Sequence, residues 1–240
     1  MKALVLAGGY ARRLSPITDF IAKPLLPIGG KPIIDWIMEK IADAGIDEII
    51  VSTNKYYEKE FRYWMNCMPH KISLLIEPTK SEEEKFGAIR GMKYAIDQFG
   101  NDEYLVIAGD NFFDFSLPKF LEFYRERKKA VIAVYDVGSP EKAKRYGTVI
   151  MDSAGKILKL VEKPPEPETT LISTACYIFP KDIGKLMEEY LEGKNNPDSP
   201  GYFISWLVKK MDVYGYVFRG TWMDIGNLDE YRRAFNMFYQ

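Results

Sequence analysis

The sequence predicts an α/β fold: a mostly parallel sheet with helices on both faces and a small antiparallel flap. Two observations carry this. Through the first half, short apolar runs alternate with helical patterns, the strand–helix rhythm that builds parallel sheets. After residue 128 the texture changes to strands joined by tight turns, as antiparallel pairs require. Open parallel sheets bind ligands outside the carboxyl ends of their strands, so the residues that follow each strand matter most.

Residues 2–7 read as the first strand and run directly into Gly8-Gly9-Tyr10-Ala11-Arg12-Arg13. Residues 32–45 read as a helix, with proline in the first turn and Gly45 at the end. Strands follow over 48–52, 71–76 and 103–108, separated by helices over 56–66 and 86–98. Beyond them, 130–136, 147–161 and 171–179 are strand-like, the middle stretch turning at Asp152-Ser153-Ala154-Gly155. This insert, about residues 130–180, is expected to lie as a flap on the main sheet, leaving residues 1–240 as one domain. Helices over 181–191 and 202–211, a strand over 213–218 and a closing helix over 227–238 complete the chain. Residues 193–201, rich in Asn, Pro and Gly, are the segment expected to move.

Composition narrows the function. With 240 residues, 47% of them apolar, the chain can bury a sizeable core. Lys and Arg number 33 against 34 acidic residues, a net charge of −1 that argues against nucleic-acid and membrane-surface partners. No signal peptide is expected, because the first apolar run stops at Gly8. Cys67 and Cys176 have no Cys-x-x-Cys neighbour, so free thiols and a reducing, cytoplasmic setting are expected. His70 is the one histidine, beside Pro69, which leaves carboxylates as the general bases or metal ligands.

Gly8-Gly9 with its following arginines, and Lys23-Pro24 beyond, suit a polyphosphate: glycines admit close backbone N–H contacts and the cations neutralise charge. Neither the P-loop nor the dinucleotide spacing is present. On this segment alone, an ordinary turn with solvated arginines remains open. Asp110, in Gly109-Asp110-Asn111, closes an apolar strand and is placed to hold Mg²⁺, which takes one or two carboxylates plus substrate phosphates; a turn-forming Asp-Asn is the alternative. Asp224, in Trp222-Met223-Asp224-Ile225-Gly226, is a second carboxylate of this kind, or a turn or helix cap. Converging, the two would clamp a metal. In Glu162-Lys163-Pro164 the glutamate suits sugar hydroxyls and the lysine a second phosphate, or the two form an exposed ion pair. Tyr146-Gly147 can bring backbone close to a sugar ring.

These segments share the order and spacing of one family. The chain resembles the sugar-1-phosphate nucleotidylyltransferases, especially the glucose-1-phosphate thymidylyltransferase-like branch, over residues 1 to about 230. The matching motifs are Leu6–Thr18, Lys23-Pro24, Gly109–Asn111, Tyr146-Gly147, Glu162–Pro164 and Trp222–Gly226. The resemblance implies a Rossmann-like sheet, and at 240 residues no C-terminal β-helix is expected. It implies that Leu6, Ala7, Gly8 and Gly9 seat the nucleotide, that Arg13 and Lys23 contact its phosphates, and that Gly87 approaches the base. Tyr146, Gly147, Glu162 and Lys163 then hold the sugar phosphate, and Asp110 and Asp224 bind Mg²⁺. Arg13, Lys23, Asp110 and Lys163 are the catalytic candidates.

The implied reaction is in-line attack of a sugar-1-phosphate oxygen on the α-phosphorus of a nucleoside triphosphate, with dTTP or UTP and glucose-1-phosphate favoured. A non-catalytic nucleotide-sugar-binding regulatory subunit on the same fold is the alternative. The implied partners are these small molecules and other copies of the chain in a homo-oligomer. Two departures stand out. Ala11-Arg12 replaces the Gly-Thr of the signature, which is tolerable only if position 11 does not need left-handed backbone. The segment that reads pyrimidines in the thymidylyltransferases begins there with glutamine and is here Glu77-Pro78-Thr79-Lys80-Ser81.

Overall fold

The structure, a computed structural model, describes residues 1–238. Strand β1 (Lys2–Leu6) leads through three 3-10 turns to the two-residue strands β2 (Pro27–Ile28) and β3 (Lys31–Pro32). The predicted alternation follows: α1 (Ile33–Asp43), β4 (Ile49–Asn54), α2 (Glu58–Asn66), β5 (Ile72–Glu77), α3 (Ala88–Phe99) and β6 (Tyr104–Ala108). Next come β7 (Asn111–Phe113), α4 (Leu117–Arg127), β8 (Ala130–Asp136), α5 (Pro140–Ala143), β9 (Gly147–Met151) and β10 (Ile157–Glu162). The chain continues with β11 (Leu171–Phe179), α6 (Ile183–Glu192), α7 (Pro200–Leu207), β12 (Val213–Phe218), β13 (Trp222–Asp224) and α8 (Leu228–Met237).

A nine-stranded sheet organises the molecule. Its parallel half runs β5-β4-β1-β6. Strand β11 joins β6 antiparallel, β8 joins β11 antiparallel, and β12 joins β8 in parallel. The hairpin β9–β10 hangs from the start of β11 through Ile172 and Thr148. Only β10 and β11 therefore run against the other strands of this sheet. The insert is thus divided: β9 and β10 make the antiparallel flap, while β8 and β11 are built into the sheet. The reason is legible in β8, whose residues Ala130–Val134 are all buried; a strand apolar on both faces needs cover on both sides.

Side chains on β1 alternate between two cores. Ala3 and Val5 pack with Ile37 of α1, Phe61 of α2 and Phe120 of α4, whereas Leu4 packs with Met92 of α3, Met187 of α6 and Phe203 of α7. Three helices thus cover each face, and each fully buried Leu, Ile or Phe contributes about 1.5–3 kcal/mol. A smaller cluster of Leu14, Leu26, Ile33, Phe112, Ile225 and Ala234 seats α8 against the segment after β1.

Two features lie outside the regular alternation and shape the carboxyl-end crevice. The short strands β7 and β13 form an antiparallel ribbon of their own. Strand β11 is bulged between Ser173 and Tyr177, with Ala175 in left-handed backbone (φ 54°). Such bulges re-aim side chains beside functional sites. Helix α7 starts earlier than the pattern predicts, because Pro200 is favoured in a first helical turn and brings residues 200–201 into the helix. Residues 193–201, expected to move, are tied instead: Ile89 N–H donates to Pro197 O (2.9 Å), Tyr190 OH to Asn196 O (2.8 Å) and Ser199 Oγ to Glu162 (2.6 Å).

Candidate active site

Along the carboxyl ends of the sheet stand, in strand order, Glu77 at the end of β5, Ser52 on β4, the Gly8 loop after β1, Asp110 after β6 and the β11 bulge. All of these except the fully buried Ser52 wall a cavity of about 400 Å³ that also takes in Gly87, Gly91, Tyr146, Trp222 and Asp224.

The ribbon explains how two aspartates far apart in sequence meet. Asp224 is the cross-strand partner of Asn111, and Ile225 N–H donates to the Asp110 carbonyl at 3.3 Å. Lys23, from the turn Lys23–Leu25, reaches in from the opposite side and forms an ion pair with Asp110 while largely buried. Burial disfavours its charge, but Asp110, Asp224 and Glu230 outweigh this and raise its pKa. Burial, then the neighbouring Asp110, push the Asp224 carboxyl up to about 6, against the opposing pull of Lys23. Among the described residues, three buried polar atoms on the cavity wall have no hydrogen-bond partner: Asn111 Oδ1, Ser173 Oγ and Trp222 Nε1. Buried polar groups are rarely left unpaired, so atoms of this kind in a cavity point to a ligand.

The Gly8-Gly9 loop is fastened from β4. Ala7 N–H donates to Ser52 O (2.7 Å), Thr53 Oγ1 to Ala7 O (3.3 Å) and Asn54 Nδ2 to Gly8 O (2.9 Å). Ala11 adopts φ +49°, so the position does take the left-handed backbone that the signature glycine accommodates freely, and the condition for a strain-free alanine is not met. The conformation costs about 1–2 kcal/mol and is held by Thr18 Oγ1, which donates to Ala11 O at 3.0 Å. Arg12 turns outward to Glu82 (2.8 Å) and Glu83 (2.7 Å). Arg13 is exposed and has no ion-pair partner among the described residues.

On the flap side, Glu162 is 7% exposed at its side chain and accepts from Ser199 Oγ. Two glycines make room for it. A Cβ at Gly147 would come within 2.9 Å of Glu162 Oε2, and one at Gly201 within 1.8 Å. Lys163 N–H donates to Tyr146 O (3.0 Å), and its exposed ammonium stands 3.9 Å from Glu162. The Tyr146 ring meets Trp222 edge-on at 5.1 Å, and burial together with Asp224 pushes its phenol up to about 12.

Of the residues singled out by sequence, Leu6, Gly8, Gly9, Gly87, Asp110, Tyr146 and Asp224 line the cavity. Ala7 lies buried behind the loop, and Lys23 joins through Asp110. Gly147, Glu162 and Lys163 form the adjoining flap edge, whereas Arg13 is exposed and does not line the cavity. Sequence reasoning missed Gly91, the β11 bulge and Ser199, and it marked Glu77 only as a departure. A glutamate ending a strand, between the same carboxyl ends as Gly8 and Asp110, was the available signal.

No group of three or more His, Cys, Asp or Glu side chains is gathered as a metal cage among the described residues. The two aspartates are nevertheless a hard-oxygen donor set of the size Mg²⁺ takes beside substrate phosphates, with the orphaned Asn111 Oδ1 next to them. The residues present fit the ion.

A family model described as nucleotidyl transferase matches residues 2–240. The chain is 33% identical over 229 residues to a bifunctional protein GlmU of Methanocaldococcus jannaschii, covering 94% of this chain and 51% of the relative. It is 31% identical to a glucose-1-phosphate adenylyltransferase of Desulfitobacterium hafniense, covering 97% and 62%. The chain thus spans about half to three-fifths of the length of these relatives. Among solved structures, a UDP-glucose pyrophosphorylase complexed with UDP-glucose has a TM-score of 0.86 at 24% identity, covering 99% of this chain and 98% of that one, a likeness of fold. No helix among the described residues is long and apolar enough to cross a membrane.

Proposed function

The chain belongs to the nucleotidyl transferase family, and from that premise we propose that it transfers a nucleotidyl group from a nucleoside triphosphate to a hexose-1-phosphate, releasing pyrophosphate. The observation that carries this is the meeting of Lys23, Asp110 and Asp224 at one end of a crevice floored by the Gly8-Gly9 loop. Glucose-1-phosphate with dTTP or UTP is the favoured pair, on the motif resemblance.

The chemistry asks little of the protein beyond placement. The attacking oxygen belongs to an ionised phosphate, so no activated side-chain nucleophile is needed, in keeping with a single histidine. The Gly8-Gly9 backbone and Arg13 seat the triphosphate, Lys163 and Glu162 hold the sugar phosphate, and alignment lowers the barrier. Lys23, kept charged by its carboxylate neighbours, neutralises charge near the transferring phosphorus. Asp110 and Asp224 would hold Mg²⁺, which supplies charge stabilisation on the phosphoryl oxygens when bound. A purely regulatory role would leave such a set without use.

The test is pyrophosphate release with Mg²⁺, glucose-1-phosphate and each nucleoside triphosphate in turn. Release with at least one nucleotide is expected; none, across several hexose phosphates, overturns the proposal.

A further inference from the structure

Glu230 stands in the first turn of α8, where its N–H donates to the cap Asn227 (3.0 Å) and its side chain is 14% exposed. Its two carboxylate oxygens serve different parts of the molecule. Oε2 accepts the Gly226 N–H at 2.9 Å, two residues beyond Asp224. Oε1 forms an ion pair with Arg145, which opens the run Arg145-Tyr146-Gly147 at the head of the flap. Tyr146 O accepts the Lys163 N–H (3.0 Å), and Gly147 faces Glu162 across the β9–β10 hairpin. One carboxylate therefore joins the turn that follows Asp224 to the turn that carries the proposed sugar-phosphate residues.

Little else spans this gap. Strand β13 belongs to a different sheet from β9 and β10, and among the described residues no backbone hydrogen bond joins residues 222–226 to that hairpin. The edge-on contact of Tyr146 with Trp222 holds neither turn by a hydrogen bond. An exposed ion pair is ordinarily worth little. This one differs, because Glu230 is largely buried, sits on a helix and has its second oxygen already engaged, so Arg145 meets an acceptor that needs no further ordering.

Neither side chain lines the cavity of the candidate active site. Both line a second cavity of about 270 Å³ that shares Tyr146, Trp222 and Asp224 with it. Their route to a bound sugar phosphate runs through these shared residues. We infer that Arg145 and Glu230 form one positioning unit, which sets the separation between Asp224 and the sugar-phosphate residues of the flap. In-line transfer needs its reacting atoms within about 3–3.5 Å. A flap free to drift from Asp224 loses sugar-phosphate binding, while the Gly8-Gly9 loop, fastened from β4, keeps its hold on the nucleotide. The inference rests on the proposed function and adds to it two residues that touch neither substrate.

Steady-state kinetics on Arg145→Ala, Glu230→Gln and the double variant test it. Glu230→Gln keeps an oxygen for Gly226 and loses the charge for Arg145. Each single change is expected to raise KM for glucose-1-phosphate about tenfold and to leave KM for the nucleotide within about threefold. The double variant should be no worse than the worse single one, since both changes remove the same tie. Arg145→Lys, which keeps the charge, should recover most of the loss. Losses that multiply in the double variant, or equal rises in both KM values, overturn the inference. Hydrogen exchange in the substrate-free protein reads the tie without turnover. Arg145→Ala should speed exchange in residues 222–228 and Glu230→Gln in residues 144–149, each across the gap from its own change. Exchange that quickens only beside the changed residue, or nowhere, overturns the inference. A protein that shows both cross-effects yet releases no pyrophosphate fails the proposed function and leaves the tie standing.

Discussion

Asn111 and Asp224 face each other across a ribbon of three residues a side, and that pairing draws Asp224 up to Asp110. The two carboxylates belong to segments more than one hundred residues apart, and Lys23 closes on them from a third. The proposed reaction centre is therefore assembled by a small appendage to the main sheet.

Replacing either aspartate tests the centre. Asp110→Asn and Asp224→Asn are expected to lower kcat by about 100-fold or more while circular dichroism and the unfolding transition stay cooperative. Wild-type rates in both variants would remove the metal assignment.

Glu77 carries a stability prediction with a definite sign. Burial pushes its carboxyl up to about 7 in the fold, above the ordinary value of 4.5, so the fold favours the neutral form. That stabilisation is complete below pH 4.5 and is lost as pH rises through 7. Glu77→Gln should therefore gain stability over the wild type as pH rises, the gap widening by about 2–3 kcal/mol between pH 5 and pH 8.5. Urea unfolding at the two pH values checks this, and a gap that does not widen contradicts the desolvation account.

The two adjacent arginines are predicted to differ. Arg12 is engaged by Glu82 and Glu83, whereas Arg13 has no ion-pair partner among the described residues. Arg13→Ala should cost about 100-fold in kcat/KM, and Arg12→Ala less than about tenfold. Steady-state kinetics on the pair decide it, and equal losses would contradict the assignment.

Ala11 offers a gain. Its left-handed backbone is natural to glycine, so Ala11→Gly is expected to raise the unfolding free energy by up to about 1 kcal/mol. Thermal unfolding measures it; a lower midpoint would show that the loop prefers alanine for another reason.

The parallel half of the sheet was legible because its strands are short apolar runs and its helices carry clean periodicity, as in Ile89, Met92, Ala95 and Ile96. The Gly8-Gly9 loop and both aspartates were legible as strand-end motifs. The β7–β13 ribbon was not, because three-residue strands have too few positions to show alternation and their pairing is wholly long-range. Residues 193–201 looked mobile by composition, yet the ties to Ile89, Tyr190 and Glu162 come from elements elsewhere in the chain. The bulge at Ala175 is likewise invisible in a run that reads as a plain strand.

The most direct measurement follows the phosphorus of the acceptor. Glucose-1-phosphate labelled with ³²P is incubated with the protein, Mg²⁺ and unlabelled nucleoside triphosphate, and the products are separated after phosphatase treatment. Attack by the sugar phosphate predicts label in a phosphatase-resistant nucleotide sugar, with one pyrophosphate formed per labelled product. Label found only as inorganic phosphate after the same treatment would contradict it.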